Sequence, residues 1–116
     1  MSRSDYLLVG DVLDAMRAVC AWTSGVTRDA FLADEMRISA IEWQLLVMGE
    51  AAKQLPSELR DANPGIDWRG MIRLRDFLAH GYASVAPDEL RQIATDEIPR
   101  DLAPVDALLA GFDPNK

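Results

Sequence analysis

The segment RDFLAHGY, residues 75–82, contains the side chains that are best suited to chemistry. Arg75 precedes His80, the chain's only histidine, by five positions, and Tyr82 follows two positions later. Imidazole can give or take a proton near neutral pH, and a guanidinium can hold two oxygens of a phosphate. A structural role is the alternative, because an arginine near a helix end often covers apolar surface and a histidine there favours the helix dipole.

The sequence predicts a helix around these residues, from Trp68 to about His80. Asp67 is placed to cap its first turn, and Gly81 is suited to end it with a positive φ. At about 100° per residue, the apolar side chains gather on one side of this helix. They are Trp68, Met71, Ile72, Leu74, Leu78 and Ala79.

Arg75 lies in the middle of that apolar side, whereas His80 lies on the polar side of the helix. The polar side is formed by Arg69, Arg73, Asp76 and His80. A guanidinium is costly to bury without a partner. Glu50 is a candidate partner, because it also interrupts a largely apolar helix. The two misplaced charges suggest an ion pair.

The rest of the chain favours helices throughout. Apolar residues recur at three- and four-residue intervals from a cap at Ser4 or Asp5 up to Gly25. The other predicted elements are a short turn from Thr27 to Phe31, a long helix from Glu35 to Leu55, a turn at 63–65, a helix from Pro87 or Asp88 to about Glu97, and a last helix from Pro99 that Pro104 could delay. No alternating strand pattern occurs. We therefore expect an all-α, up-and-down bundle of four to five helices.

The composition suggests one domain over residues 1–116, with a core at about 5–110 and a frayed tail at 111–116. A net charge of −7 repels nucleic acid at long range, so any nucleic-acid role must rest on a local site. The lone Cys20 excludes an internal disulfide, and the charged first thirty residues contain no signal peptide or membrane span. We expect a cytoplasmic protein that does not associate with membranes.

Other kinds of site have little support in the sequence. Asp76 and His80 share a helix face, but neither a second histidine nor a nearby thiolate would complete a metal site. No arrangement for nucleophilic catalysis and no glycine-rich phosphate loop occurs. The small residues of GEAAKQLP indicate close helix packing rather than a ligand site. We expect no metal and no cofactor.

The pattern R-x4-H-x-Y at Arg75, His80 and Tyr82 resembles the signature of the HEPN superfamily, and more closely that of the HepT-like toxins of toxin–antitoxin pairs. The resemblance covers about residues 5–110, through GEAAKQLP, NPGIDWRGMIRLRDFLAHGY and EIPRDLAPVDALL. It implies a metal-independent ribonuclease with Arg75 and His80 as the catalytic pair. It also implies a homodimer, because about 140° of one regular helix separates the two side chains.

The same resemblance implies a regulatory partner. Tyr82 matches the tyrosine to which a minimal nucleotidyltransferase antitoxin transfers AMP from ATP. This chain departs from the family at Asp76, where asparagine is most frequent, and an ionised aspartate can only accept hydrogen bonds. The nearby Arg69 and Arg73 are candidate RNA contacts. The alternatives are a HEPN-type binding or assembly module without activity and a helical adaptor without a site.

Overall fold

A computed structural model of the chain describes residues 1–80 and 85–112, and within them the structure is helical, without strands. The α-helices are α1 (Arg3–Thr23), α2 (Arg28–Leu32), α3 (Glu35–Gln54), α4 (Ser57–Asp61), α5 (Trp68–Ala79), α6 (Pro87–Gln92) and α7 (Ile98–Ala110). A π-helical turn, Ile93–Glu97, joins α6 to α7 without a break. The predicted all-α fold is confirmed. The short α4 was not predicted.

Short polar side chains fix where the helices begin. Thr27, Asp34 and Asp67 cap α2, α3 and α5, each accepting a hydrogen bond from a backbone N–H of the first turn. The first helix differs from its prediction, because Ser2 rather than Ser4 or Asp5 is its cap. The Ser2 side chain accepts from the Asp5 backbone, and Asp5 accepts from Ser2 in return.

The core lies between α1, α3 and the continuous helical segment that runs from α6 through the π-turn to α7. Its fully buried side chains come from all of these elements, and Phe31 of α2 is buried with them. The largest are Phe31, Leu13, Met16, Ile41, Leu45, Met48, Leu90, Val9, Val12, Val19 and Val105. Helix α5 packs mainly on α3 and contributes only Trp68 and Met71 to the buried set. Helix α5, which carries Arg75, has His80 at its C-terminal cap and is called the motif helix below, therefore lies at the edge of the bundle.

The predicted break between residues 97 and 99 is absent. Leu90, Ala94 and Ile98 recur every four residues and are all buried, although such a spacing drifts by about 40° per step in an α-helix. The π-turn takes up that drift, and the backbone N–H of Ile98 binds the carbonyl of Ile93. Pro104 lies inside α7 and is exposed, so water can reach the carbonyl that loses its partner there.

Two further observations bear on the sequence expectations. Phe112, at the start of the predicted tail, stacks on Tyr6 with ring centroids 4.6 Å apart. The expectations for Gly81, Tyr82 and the tail residues 113–116 lie outside the described residues. Among the helices that are described, none combines the length and the apolar character that a bilayer crossing requires.

Candidate active site

Helix α5 lies very close to α3 at a glycine. A methyl group added at Gly49 would overlap the Cβ of Arg75 and would lie 2.6 Å from the carbonyl oxygen of Met71. Gly49 is itself buried. The close packing predicted from the small residues of GEAAKQLP is thus present. It brings the side chains on either side of Gly49 within reach of Arg75 and its neighbours.

Arg75 forms the ion pair that the two misplaced charges suggested. Its Nε lies 2.8 Å from Oε2 of Glu50 on α3, although the N–H is not well directed at that oxygen. The side chain of Arg75 retains 28% of its exposure, against 46% for Glu50. Gln54, one turn further along α3, donates to the other carboxylate oxygen of Glu50 at 3.4 Å. The guanidinium is therefore oriented by α3 and still accessible to solvent.

Asp76 binds both cations of the site through a single oxygen. Its Oδ1 accepts from Nη1 of Arg75 at 3.0 Å and from Nζ of Lys53 on α3 at 3.2 Å. The Arg75 hydrogen bond, followed by that of Lys53, lowers the pKa of the Asp76 carboxyl below its ordinary value. The same contact with Asp76, supported by Glu50, raises the pKa of Arg75. Asp76 is consequently ionised at neutral pH.

The backbone of the same aspartate holds the histidine. His80 is exposed at the end of α5, and its Nδ1 lies 2.5 Å from the carbonyl oxygen of Asp76. A carbonyl can only accept, so Nδ1 carries the hydrogen in this contact. In the neutral ring, Nε2 then keeps its lone pair and faces away from the helix backbone. His80 is thereby presented as a proton acceptor.

Four of the predicted site residues come together in the structure. Glu50, Arg75 and Asp76 are in direct contact, and His80 joins them through the Asp76 backbone rather than through Arg75 itself. Tyr82 lies outside the described residues. Lys53 was missed, because an exposed lysine on a helix needs no special explanation. Its position three residues after Glu50, hence on the same face, was the available signal.

Arg75 and Glu50 also border a groove of about 300 Å³ between α1, α3 and α5. Its walls are mainly apolar, formed by Leu8, Trp43, Leu46, Val47, Ala51 and Ala79. Trp43 is 62% exposed, which is unusual for so large an aromatic side chain. An open apolar wall therefore lies directly beside the charged groups.

The two predicted RNA contacts line a different concavity. Arg69 and Arg73 are exposed on the polar side of α5 and face a hollow of about 660 Å³ together with Arg60 of α4. None of these three arginines takes part in an ion pair within the described part of the chain. Two aspartates share this hollow, Asp61 and Asp67, of which Asp67 is engaged in capping α5, so the three arginines outnumber the carboxylates by one. Local positive charge is present here on an acidic protein.

Metal-ligating side chains are dispersed over residues 1–80 and 85–112. No three His, Cys, Asp or Glu side chains in these ranges are grouped so that they could hold a metal ion. The charges around Arg75 pair with one another instead. The site thus combines a guanidinium and an ammonium, both paired with carboxylates, with an imidazole, the group types that can contact an anion and transfer a proton.

Comparisons with known proteins agree on one family. The family described as "Ribonuclease HepT-like" matches residues 12–107. A Methanocaldococcus jannaschii protein named as a candidate RNase is 32% identical over 103 residues, which are 89% of this chain and 85% of that protein. A Thermococcus cleftensis protein named probable ribonuclease HepT is 33% identical over 98 residues, 84% of this chain and 87% of its own. No solved structure gives a significant match. With nearly its whole length matched, the chain belongs to the Ribonuclease HepT-like family of the HEPN superfamily.

Proposed function

We propose that this protein is a metal-independent endoribonuclease in which Arg75 and His80 are the catalytic pair. The observation that carries the proposal is the double role of Asp76, whose side chain orients Arg75 while its backbone orients His80. Membership of a ribonuclease family supports RNA as the substrate class. The relatives' names add that RNA cleavage is the activity assigned to proteins of this kind.

The reaction follows from the chemistry of RNA. Nε2 of His80 removes the proton of a 2′-hydroxyl, whose oxygen then attacks the adjacent phosphorus. The bond from phosphorus to the 5′-oxygen breaks, and that oxygen leaves with a proton from the histidine of a partner subunit or from water. The products are a 2′,3′-cyclic phosphate and a 5′-hydroxyl. The free N–H groups of Arg75 stabilise the charge that develops on the phosphate oxygens.

A second copy of the chain is the expected partner of the motif helix. The groove beside Arg75 and the exposed Trp43 leave an apolar surface next to the charges. A two-fold arrangement would cover that surface and place two Arg75–His80 pairs along one cleft. Light scattering at micromolar concentration should then give twice the chain mass. Trp43→Glu should give the mass of one chain, and an unchanged dimer would place the interface elsewhere.

Substrate RNA would be held along the polar side of α5. Arg69 and Arg73 follow that side away from His80, and Arg60 extends it onto α4. Each neutralised phosphate steepens the loss of affinity with salt. Replacing Arg69 or Arg73 by Ala should therefore weaken RNA binding at low salt, whatever the RNA sequence.

Regulation by AMP transfer completes the proposal and depends on the family resemblance. The phenolic oxygen of Tyr82 would attack the α-phosphorus of ATP on a cognate nucleotidyltransferase antitoxin, with pyrophosphate leaving. The added phosphate would repel an RNA backbone near His80. Tyr82→Phe should stay active and unmodified when mixed with the antitoxin and ATP. If the Tyr82→Phe variant still gained AMP, another residue would be the acceptor. Because RNA and ATP are both cytoplasmic, we expect the pair to act there.

One observation favours an inactive binding module as the second candidate. Two carboxylates contact Arg75 and offset its charge, and the whole chain carries −7. In that case Arg75 would serve the packing of α5 on α3. The chain would then bind a partner through its apolar groove without cleaving RNA.

A substrate panel separates the two candidates. The purified chain is incubated with RNA, with the same RNA methylated at every 2′-oxygen, and with DNA, each with and without excess EDTA. We expect cleavage of unmodified RNA only, insensitive to EDTA, with 2′,3′-cyclic phosphate ends. His80→Ala, purified in parallel, should lose this activity and so exclude a contaminating nuclease. Cleavage that persists in His80→Ala, or that EDTA abolishes, would contradict the mechanism.

A further inference from the structure

The aspartate beside Arg75 meets a lysine from a different helix. Lys53 Nζ lies 3.2 Å from Asp76 Oδ1, the oxygen that also accepts from Arg75. Lys53 and Asp76 are 23 residues apart in the chain, so their contact depends on the packing of α3 against α5. Both side chains keep nearly half of their exposure, 49% and 44%. The contact therefore lies at the surface that an RNA phosphate would approach.

Charge counting shows why Lys53 matters. Arg75 contacts two carboxylates, Glu50 and Asp76, and these three groups alone would carry a net charge of −1. An incoming phosphodiester, also −1, would be repelled by such a group at short range. Lys53 brings the four groups to neutrality. An asparagine at position 76 would need no such compensation, because its amide is uncharged.

We propose that Lys53 is a positioning residue of the cleavage site, which binds Asp76, compensates its charge and so leaves Arg75 effective toward a phosphodiester. This inference rests on the proposed ribonuclease function and extends it. Lys53 acts through Asp76 and does not touch the reacting atoms. Its contribution is therefore conditional: it matters when residue 76 is an aspartate and loses its value when that charge is removed.

A double-mutant cycle tests this condition. The proteins are wild type, Lys53→Met, Asp76→Asn and the double variant, each assayed for kcat/KM on one RNA. Methionine keeps an unbranched, mainly apolar side chain and removes the ammonium group, with its charge and its hydrogen bond to Asp76. We expect Lys53→Met to lower kcat/KM about tenfold in the wild-type background and less than about twofold in Asp76→Asn, since contacting residues are not additive. Lys53→Arg, which keeps the charge, should restore most of the loss.

Salt gives a second readout that a merely structural role would not produce. Because the pair is partly exposed, high salt should reduce the difference between wild type and Lys53→Met. Equal losses in both backgrounds, or no loss in wild type, would overturn the role of Lys53. Lys53→Gln repeats the comparison should the methionine variant fold poorly. Failure of the wild type to cleave RNA would instead refute the proposed function, and this role with it.

Discussion

The first helix and the motif helix differ in how much of their apolar surface the chain buries by itself. Helix α1 contributes seven buried residues, and those on its central face are fully inaccessible: Val9, Val12, Met16 and Val19. Helix α5 contributes two. Its other apolar side chains are half-buried or exposed, and Phe77 is 46% exposed. Packing within one chain explains the apolar side chains of α1. It does not explain the exposed apolar side chains of α5.

The largest expected effect separates catalysis from folding. Arg75→Ala should reduce RNA cleavage by about 100-fold or more, because it removes a charge that acts on the transition state. The unfolding free energy of this variant should fall only slightly, since Glu50 and Asp76 are both close to half exposed and can be hydrated without Arg75. Cleavage kinetics and thermal unfolding of the same preparation provide the check. A variant that is unfolded, rather than folded and inactive, would remove the distinction between α1 and α5.

A matched pair of leucines compares the buried core with α5 in terms of stability. Leu45 of α3 is fully buried, and Leu78 of α5 is half-buried. Leu45→Ala should cost about 2–5 kcal/mol of unfolding free energy, through lost burial and a residual cavity. Leu78→Ala should cost less than about 1.5 kcal/mol in a monomer, and more at concentrations where a dimer covers it. Chemical denaturation at two protein concentrations would show whether this difference exists.

Gly49 lies where α3 of the core packs against α5, so its substitution should affect both stability and cleavage. The methyl group of Gly49→Ala would collide with Arg75 and the Met71 backbone. We expect a loss of about 1–3 kcal/mol from overpacking, together with reduced cleavage because α5 shifts. Gly10→Ala is the control, since nothing lies within 4 Å of a methyl group there. If both variants behave alike, the close approach of α3 and α5 does not constrain the site.

The smallest effect concerns acid stability away from the site. Arg28 holds Asp88 through two hydrogen bonds of 2.7 Å, which lower the pKa of that carboxyl. A group whose pKa is lower in the folded state stabilises the fold above its unfolded pKa and loses that contribution as pH falls through the folded value. Unfolding curves between about pH 5 and 2 should therefore show less loss for Asp88→Asn than for wild type. Equal slopes would mean that the ion pair contributes nothing.

The sequence was sufficient where one local rule decided the structure. Asp67 was recognised as a cap because a short acceptor before a helix satisfies its free N–H groups, and Arg75 was paired with Glu50 because each interrupts an apolar pattern. The contact of Lys53 with Asp76 was missed, since both residues obey their own helical patterns and the packing of two helices brings them together; the spacing of Lys53 from Glu50 was the one signal for it. The Nδ1 contact of His80 likewise depends on a side-chain torsion that no spacing encodes.

The π-turn at Ile93–Glu97 affects how proteins with this fold can differ in length. A π-turn is equivalent to an α-helix that holds one extra residue. If the exposed Asp96 were deleted, the apolar positions now at 90, 94, 98, 102 and 105 would follow one another at intervals of four, three, four and three. That is the heptad spacing of an uninterrupted helix. The bundle thus accommodates an insertion by widening one turn, so a relative shorter by one residue here can keep the same buried face and the same site.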